Sequence, residues 1–253
     1  MSPNSIAPDA VRTFAKEGFV VMSDFLDQPT FEELSTNLDR YIRDIVPGLP
    51  PTLAYYEEQG VPASLKALHY IDQHDAYFAE FVQRPVFRSL AEQLLSSDVC
   101  LRAAEWFCKP PGHSNVTPPH QDGYYFCLQP DQVVTLWIPI DAIDQENGCL
   151  YYVPGSHLRG LRPHRRSSVL GFSQGVADWG PEDQVAAVAV PVKPGDVLAH
   201  HSRTIHLADA NSSQRLRRAF AIVYASTACV TDEEAKQRYQ HSLKELHQEV
   251  LNR

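Results

Sequence analysis

The chain has 253 residues, of which 43% are hydrophobic, and 22 Lys and Arg stand against 31 Asp and Glu for a net charge of -9. That length suits one domain with a full-sized core. The acidic balance argues against a general nucleic-acid or membrane-surface binder. No apolar run is long enough to span a bilayer, and Met1-Ser2-Pro3-Asn4-Ser5 lacks the basic start and apolar core of a signal peptide. The five cysteines, Cys100, Cys108, Cys127, Cys149 and Cys229, are scattered and form no Cys-x-x-Cys pair. They read as free thiols, and a reducing cytoplasm as the compartment.

In chain order, residues 8–17 suggest a short helix ended by Gly18, and Phe19-Val20-Val21-Met22 a strand. Asp27 or Thr30 can cap a second helix to about Ile45, with Phe31, Leu34, Leu38, Tyr41 and Ile42 at helical spacing. Residues 52–64 show no clear period, and further helices are expected near 75–84 and 86–96. After Ser97 the pattern turns to short strands, at about 99–108, 123–128, 133–139, 149–153, 185–190, 196–200, 204–208 and 216–226. Asn147-Gly148 and Pro194-Gly195-Asp196 supply turns between them. Eight such strands predict a closed or double-sheet β architecture. The segment 159–184 is too long for a simple hairpin loop and reads as a lid or binding loop. Residues 231–250 predict a charged amphipathic helix capped by Thr231. The expected organisation is a single domain over 1–253, with helical support over 1–97, a β core over 98–228 and a C-terminal helix over 229–253.

The residues that carry chemistry begin with Pro118-Pro119-His120-Gln121-Asp122-Gly123. In an extended segment the side chains of His120 and Asp122 leave the same face. One imidazole and one carboxylate are two thirds of a 2-His-1-carboxylate iron site. His200, His201 and His206 are candidates for the third ligand. Further on, Arg217, Ala219, Ala221 and Val223 share one face of a strand, and Leu216, Arg218, Phe220, Ile222 and Tyr224 share the other. The face of small residues suits a roomy cavity, which puts Arg217 inside. A guanidinium there needs an anion, and its own strand supplies none, so the anion is expected to be a ligand carboxylate.

These pieces resemble the phytanoyl-CoA dioxygenase family of Fe(II)/2-oxoglutarate-dependent oxygenases. The likeness rests on Lys109-Pro110-Pro111-Gly112, His120-Gln121-Asp122 and Trp137-Ile138-Pro139. It continues through Glu146-Asn147-Gly148-Cys149-Leu150, Pro154-Gly155-Ser156-His157, Gly195-Asp196, and His206 with Asn211, Ser213 and Arg217. It spans about 98–226, with the opening helix and Glu17-Gly18-Phe19-Val20-Val21 also fitting. The resemblance implies a double-stranded β-helix, or jelly roll, mainly β with flanking N-terminal helices and a C-terminal helix. It implies His120, Asp122 and His206 as iron ligands and Arg217 as the grip on the distal carboxylate of 2-oxoglutarate. Trp137 would line the co-substrate pocket, and Lys66 falls where relatives offer a lysine to the site. Glu105 is placed with the co-substrate contacts, although relatives often carry an uncharged residue there. Ala208 stands where relatives often have a serine. The implied activity is hydroxylation of an unactivated C–H bond, with Fe(II), 2-oxoglutarate and O2 consumed to succinate and CO2. Asp122 favours hydroxylation, since related halogenases replace that carboxylate with a small residue.

Around this centre, Tyr124 just after the motif, and His113 and Asn115 just before it, can reach a substrate. Arg162, with His164, Arg165 and Arg166, is either a solvated basic loop or the part of a lid that recognises a carboxylate or phosphonate. The expected substrate is a small polar or anionic metabolite. Two other classes fit parts of the pattern: a non-catalytic jelly-roll protein that binds or senses through the metal, and a zinc hydrolase. No glutamate sits beside the ligands in the manner of zinc peptidases, which counts against the last.

Overall fold

The computed structural model describes residues 7–58, 60–112, 114–167 and 174–241. Side-chain alternation along the strand Arg217–Ser226 separates two interiors. Phe220, Ile222 and Tyr224 pack on one side with Phe14, Leu34, Leu38, Tyr41, Phe78, Phe81 and Phe87 from the N-terminal helices. Ala219 and Ala221 turn to the other side, into a cluster with Trp137, Leu150 and Tyr152. This strand lies inside a seven-stranded sheet. Its order is Phe19–Met22, Val197–His201, Val133–Pro139, Arg217–Ser226, Val99–Lys109, Leu65–Leu68, Ala54–Tyr56. A four-stranded sheet faces it, ordered Val188–Val190, Leu150–Tyr152, His206–Ala208, Thr117–His120. Strand pairing throughout is antiparallel. Two facing antiparallel sheets with helices against the outer side of the larger one make a double-stranded β-helix.

The helices follow their local signals. Pro8–Glu17 stops at Gly18, whose φ of 85° is readily available to a residue without Cβ, and whose N–H bonds the Phe14 carbonyl. Gln28–Asp44 starts at Asp27, whose carboxylate accepts from the Thr30 N–H at 2.9 Å. Leu34, Leu38 and Tyr41 then fall on one buried stripe. Ala76–Phe81 and Pro85–Leu95 complete the layer. No described helix is long and apolar enough to cross a membrane.

Several expectations need correction. The segment expected as a strand over 123–128 is a helical turn, Gly123–Phe126, followed by the short strand Leu128–Gln129. The β-rich aromatic run is overridden by backbone bonds from Tyr125 and Phe126 to the Asp122 carbonyl. The strand expected at 185–190 is shortened to Val188–Val190, because Pro181 opens a helix to Ala186 with Asp183 bonding back to the Gly180 N–H. The aperiodic stretch 52–64 contains the edge strand Ala54–Tyr56, which pairs with Leu65–Leu68 and extends the larger sheet. The segment 159–184 is not one irregular loop: His164–Arg166 and Gln174–Val176 form a two-stranded pair. In the C-terminal helix, Asp232 rather than Thr231 caps the start, accepting from the Ala235 N–H at 2.9 Å. Residues 233–241 are helical, and the expected continuation to 250 lies outside the described residues.

Candidate active site

Register brings the two histidines together. His206 and His120 are direct cross-strand partners in the smaller sheet, and their ring centroids stand 4.1 Å apart. His120 Nδ1 is 2.8 Å from the Pro118 carbonyl, and His206 Nδ1 is 3.0 Å from the Thr204 carbonyl. A carbonyl can only accept, so both Nδ1 atoms carry a proton, which leaves Nε2 as the nitrogen of each ring that can offer a lone pair to the cavity. Asp122 reaches the same point by a different route from the one expected. Its backbone is helical, with φ -57° and ψ -32°, so the extended same-face rule does not place it. The turn does: the Gly123 N–H bonds the Ser202 carbonyl at 2.9 Å, anchoring the turn beside the larger sheet. Asp122 Oδ1 then lies 3.5 Å from His120 Nε2 and 3.6 Å from His206 Nε2.

One ligand atom from each of His120, Asp122 and His206 lies within 4.8 Å of the others, a separation that one divalent ion can bridge. The donor set of two imidazoles and one carboxylate fits non-haem iron. Burial opposes ionisation of Asp122, but His206 and the bonds to His120 and His200 hold its carboxyl well below the usual range. Burial, then the neighbouring His120, keeps His206 well below an ordinary histidine, hence neutral.

The triad opens into a cavity of about 330 Å³ that also contains Arg217. Arg217 is 4% exposed, and its Nε donates to the Gly148 carbonyl at 3.0 Å. Its guanidinium carbon sits 4.8 Å over the Trp137 ring. No ion pair to a carboxylate is found for it among the described residues, and burial pushes it down to about 10. It is therefore a buried cation at neutral pH. Directly opposite on the neighbouring strand is Lys109. Its ammonium donates to the Asn115 carbonyl at 2.5 Å and is pushed down to about 7, first by burial and then by Arg217. Like charges facing each other across a ladder repel, so this pair is an anion cradle in form.

The outer wall carries two acid–base pairs. Lys66 Nζ lies 3.2 Å from Glu57 Oε2, and burial lowers Lys66 against the pull of Glu57. Glu105 Oε1 lies 2.5 Å from His69 Nδ1; burial disfavours the charged ring, but Glu105 outweighs it and raises His69. Asn115 also lines the cavity, its amide donating to Glu57 at 2.8 Å.

Other sequence expectations fall elsewhere. Tyr124 stacks on His164 at 4.4 Å and does not line the cavity, while Tyr125 and Phe126 do, because the helical turn changes which ring points inward. Arg162 is spent on Asp178 at 2.9 Å and Asp183 at 2.7 Å and lies off the cavity. His113 lies outside the described residues. His201 packs against Phe14 and His157 behind the site. Sequence reasoning missed Lys109, Glu57, His69 and Tyr239 as cavity residues. Lys109 had a readable signal: it shares a strand face with Glu105 and Phe107. Glu57, His69 and Tyr239 had none, since each reaches the cavity only through the tertiary fold.

The sequence signature described as Phytanoyl-CoA dioxygenase (PhyH) matches residues 14–219. A phytanoyl-CoA dioxygenase of Arabidopsis thaliana is 24% identical over 260 residues, covering 89% of this chain and 91% of the relative. The non-heme alpha ketoglutarate dependent carbocyclase SnoK of nogalamycin biosynthesis superposes with a TM-score of 0.74 at 24% identity, over 90% of this chain and 87% of its own. EvdO2 of Micromonospora carbonacea, crystallised with 2-oxoglutarate, superposes with a TM-score of 0.71 at 26% identity, over 90% and 93%. With the signature spanning most of the chain, the protein belongs to the phytanoyl-CoA dioxygenase family of Fe(II)/2-oxoglutarate-dependent oxygenases.

Proposed function

We propose that this protein hydroxylates an unactivated C–H bond of a small polar or anionic metabolite, with His120, Asp122 and His206 holding Fe(II) and Arg217 binding the distal carboxylate of 2-oxoglutarate. The observation that carries this reading is the pairing, in one cavity, of three convergent ligand atoms with a buried guanidinium that has no carboxylate partner among the described residues. Iron, 2-oxoglutarate and O2 together supply the oxidation, in which one oxygen atom enters the substrate and the other enters succinate as CO2 leaves.

The protein's share is binding and orientation. The Nδ1 bonds of His120 and His206 fix both rings as Nε2 ligands. Arg217 offers its two terminal nitrogens as a fork to a carboxylate, and the guanidinium rests over the Trp137 ring. Lys109 shares the same negative charge from the opposite strand. Leu150 adds an apolar side chain to the lining of the same cavity. Substrate then meets Glu57, Lys66, His69, Glu105 and Asn115, a wall of paired charges that suits a polar molecule. The cavity is at the small end for ligand sites, which favours a compact substrate once the co-substrate is in place.

The test is anaerobic addition of Fe(II) and 2-oxoglutarate, followed by O2. The expected result is a visible charge-transfer band and then succinate, both abolished in His120→Ala. Absence of both from the folded wild-type protein would refute the reading.

A further inference from the structure

The mechanism above leaves one buried imidazole of the cavity unused. His200, 2% exposed, lies on Val197–His201, where its cross-strand partners are Phe19 and Thr135. Its Nε2 stands 3.1 Å from Asp122 Oδ2, and its Nδ1 stands 2.9 Å from the Tyr152 hydroxyl. Thr135 donates its hydroxyl to the same Asp122 Oδ2 at 3.2 Å. Two neighbouring strands of the larger sheet therefore grip one oxygen of a carboxylate whose chain arrives from Thr117–His120 of the smaller sheet. The other oxygen, Oδ1, is the one that faces both His120 and His206.

The proton positions follow from the partners. An ionised carboxylate only accepts, so His200 Nε2 carries the hydrogen toward Oδ2. A neutral ring then has a bare Nδ1, which accepts from the Tyr152 hydroxyl. Tyr152 is fully buried and stacks on Phe19 at 4.6 Å, so the hydroxyl that sets the His200 ring is itself fixed. Without His200, Asp122 could rotate about its side-chain bonds and turn Oδ1 away from the two imidazoles.

We propose that His200, oriented by Tyr152, is the positioning residue that holds the Asp122 carboxylate with Oδ1 turned toward His120 and His206, where a metal would be bound. The proposal rests on the metal assignment made under the proposed function. It concerns a contact outside the three ligands, and its readout is metal affinity rather than turnover.

The experiment measures Mn(II) affinity of the full chain by the paramagnetic signal of the free ion, for wild type, His200→Leu, His200→Gln and Tyr152→Phe. Circular dichroism and thermal melting of the metal-free proteins check folding. Loss of the contact in His200→Leu should weaken Mn(II) binding roughly 10–100-fold. The amide of His200→Gln can donate from the place of Nε2 and should restore most of it. Tyr152→Phe should weaken binding by a smaller factor. A role confined to packing would lower the melting point of His200→Leu but leave Mn(II) affinity unchanged, and that result overturns the proposal. If His200→Leu does not fold, Tyr152→Phe decides, since it keeps the ring, and unchanged affinity there overturns the proposal too. A wild-type chain that binds no Mn(II) would instead strike down the metal site itself.

Discussion

Replacing Arg217 by Met is the most direct probe of the co-substrate site, because the structure sets expectations of different size for two observables. The Nε of Arg217 is used by the Gly148 carbonyl, which leaves the two terminal nitrogens for a ligand carboxylate. Two hydrogen bonds to a charged acceptor are worth about 3 kcal/mol at the low end, or about 100-fold in 2-oxoglutarate affinity. At a 2-oxoglutarate concentration 100 times the wild-type Kd, wild type gains about 2.7 kcal/mol of stability and the variant only about 0.4 kcal/mol. For a chain of this size that is a rise in Tm of roughly 5–11 °C against roughly 1–2 °C. The apoprotein should change far less. Burial of the guanidinium, which lowers it from 12.5 to about 10, costs about 3 kcal/mol, and the Gly148 bond and the Trp137 stack offset most of that. Thermal melting with Mn(II) bound, with and without 2-oxoglutarate and in the absence of O2, reads both quantities. A variant that keeps the full ligand-induced gain refutes the role given to Arg217.

Three other outcomes follow from particular contacts. Lys109 sits near 7 because it is buried and then because Arg217 repels it; a bound dianion raises it, so the complex holds more proton than the free protein. Affinity for 2-oxoglutarate should therefore be full below about 7 and fall as pH rises through it, a dependence that Lys109→Met removes; calorimetry across roughly pH 6 to 9 checks the slope, and a flat wild-type profile counts against it. Arg162→Ala breaks pairs with Asp178 and Asp183 away from the cavity. It should lower stability by about 1–2 kcal/mol on denaturant titration while leaving succinate formation unchanged. Gly123→Ala would push a methyl group into the Asp131 carboxyl, whose Cγ lies 2.9 Å from that position. It should cost about 1–3 kcal/mol and weaken Mn(II) binding, since it displaces the turn that carries Asp122.

What could be read from the chain depended on how locally each feature is determined. Strand alternation over 217–224 was legible, because Arg217 and the alanines differ so sharply from Phe220 and Ile222 on the opposite face. The Asp27 cap and the 34-38-41 stripe were legible for the same local reason. Asp122 lies beside the histidines for a reason other than the extended spacing: it meets them through a helical turn that the bond from Gly123 to Ser202 anchors. Tyr124 was misplaced because the same turn altered the phase. Arg162 looked like an anion receptor because its two carboxylate partners lie 16 and 21 residues away, beyond any local pattern. His69 and Glu57 lie outside the β-rich span and reach the cavity through an edge strand pairing that periodicity did not reveal.

The helix over 233–241 hangs from a two-residue pairing of Val230–Thr231 with Leu128–Gln129, and it sets Tyr239 against Tyr125 at the cavity wall. That helix begins beyond residue 219, where the likeness to the family signature ends. This part of the cavity wall is therefore built by a segment that the family signature does not cover, and the geometry at Tyr239 belongs to this chain's own C-terminal helix.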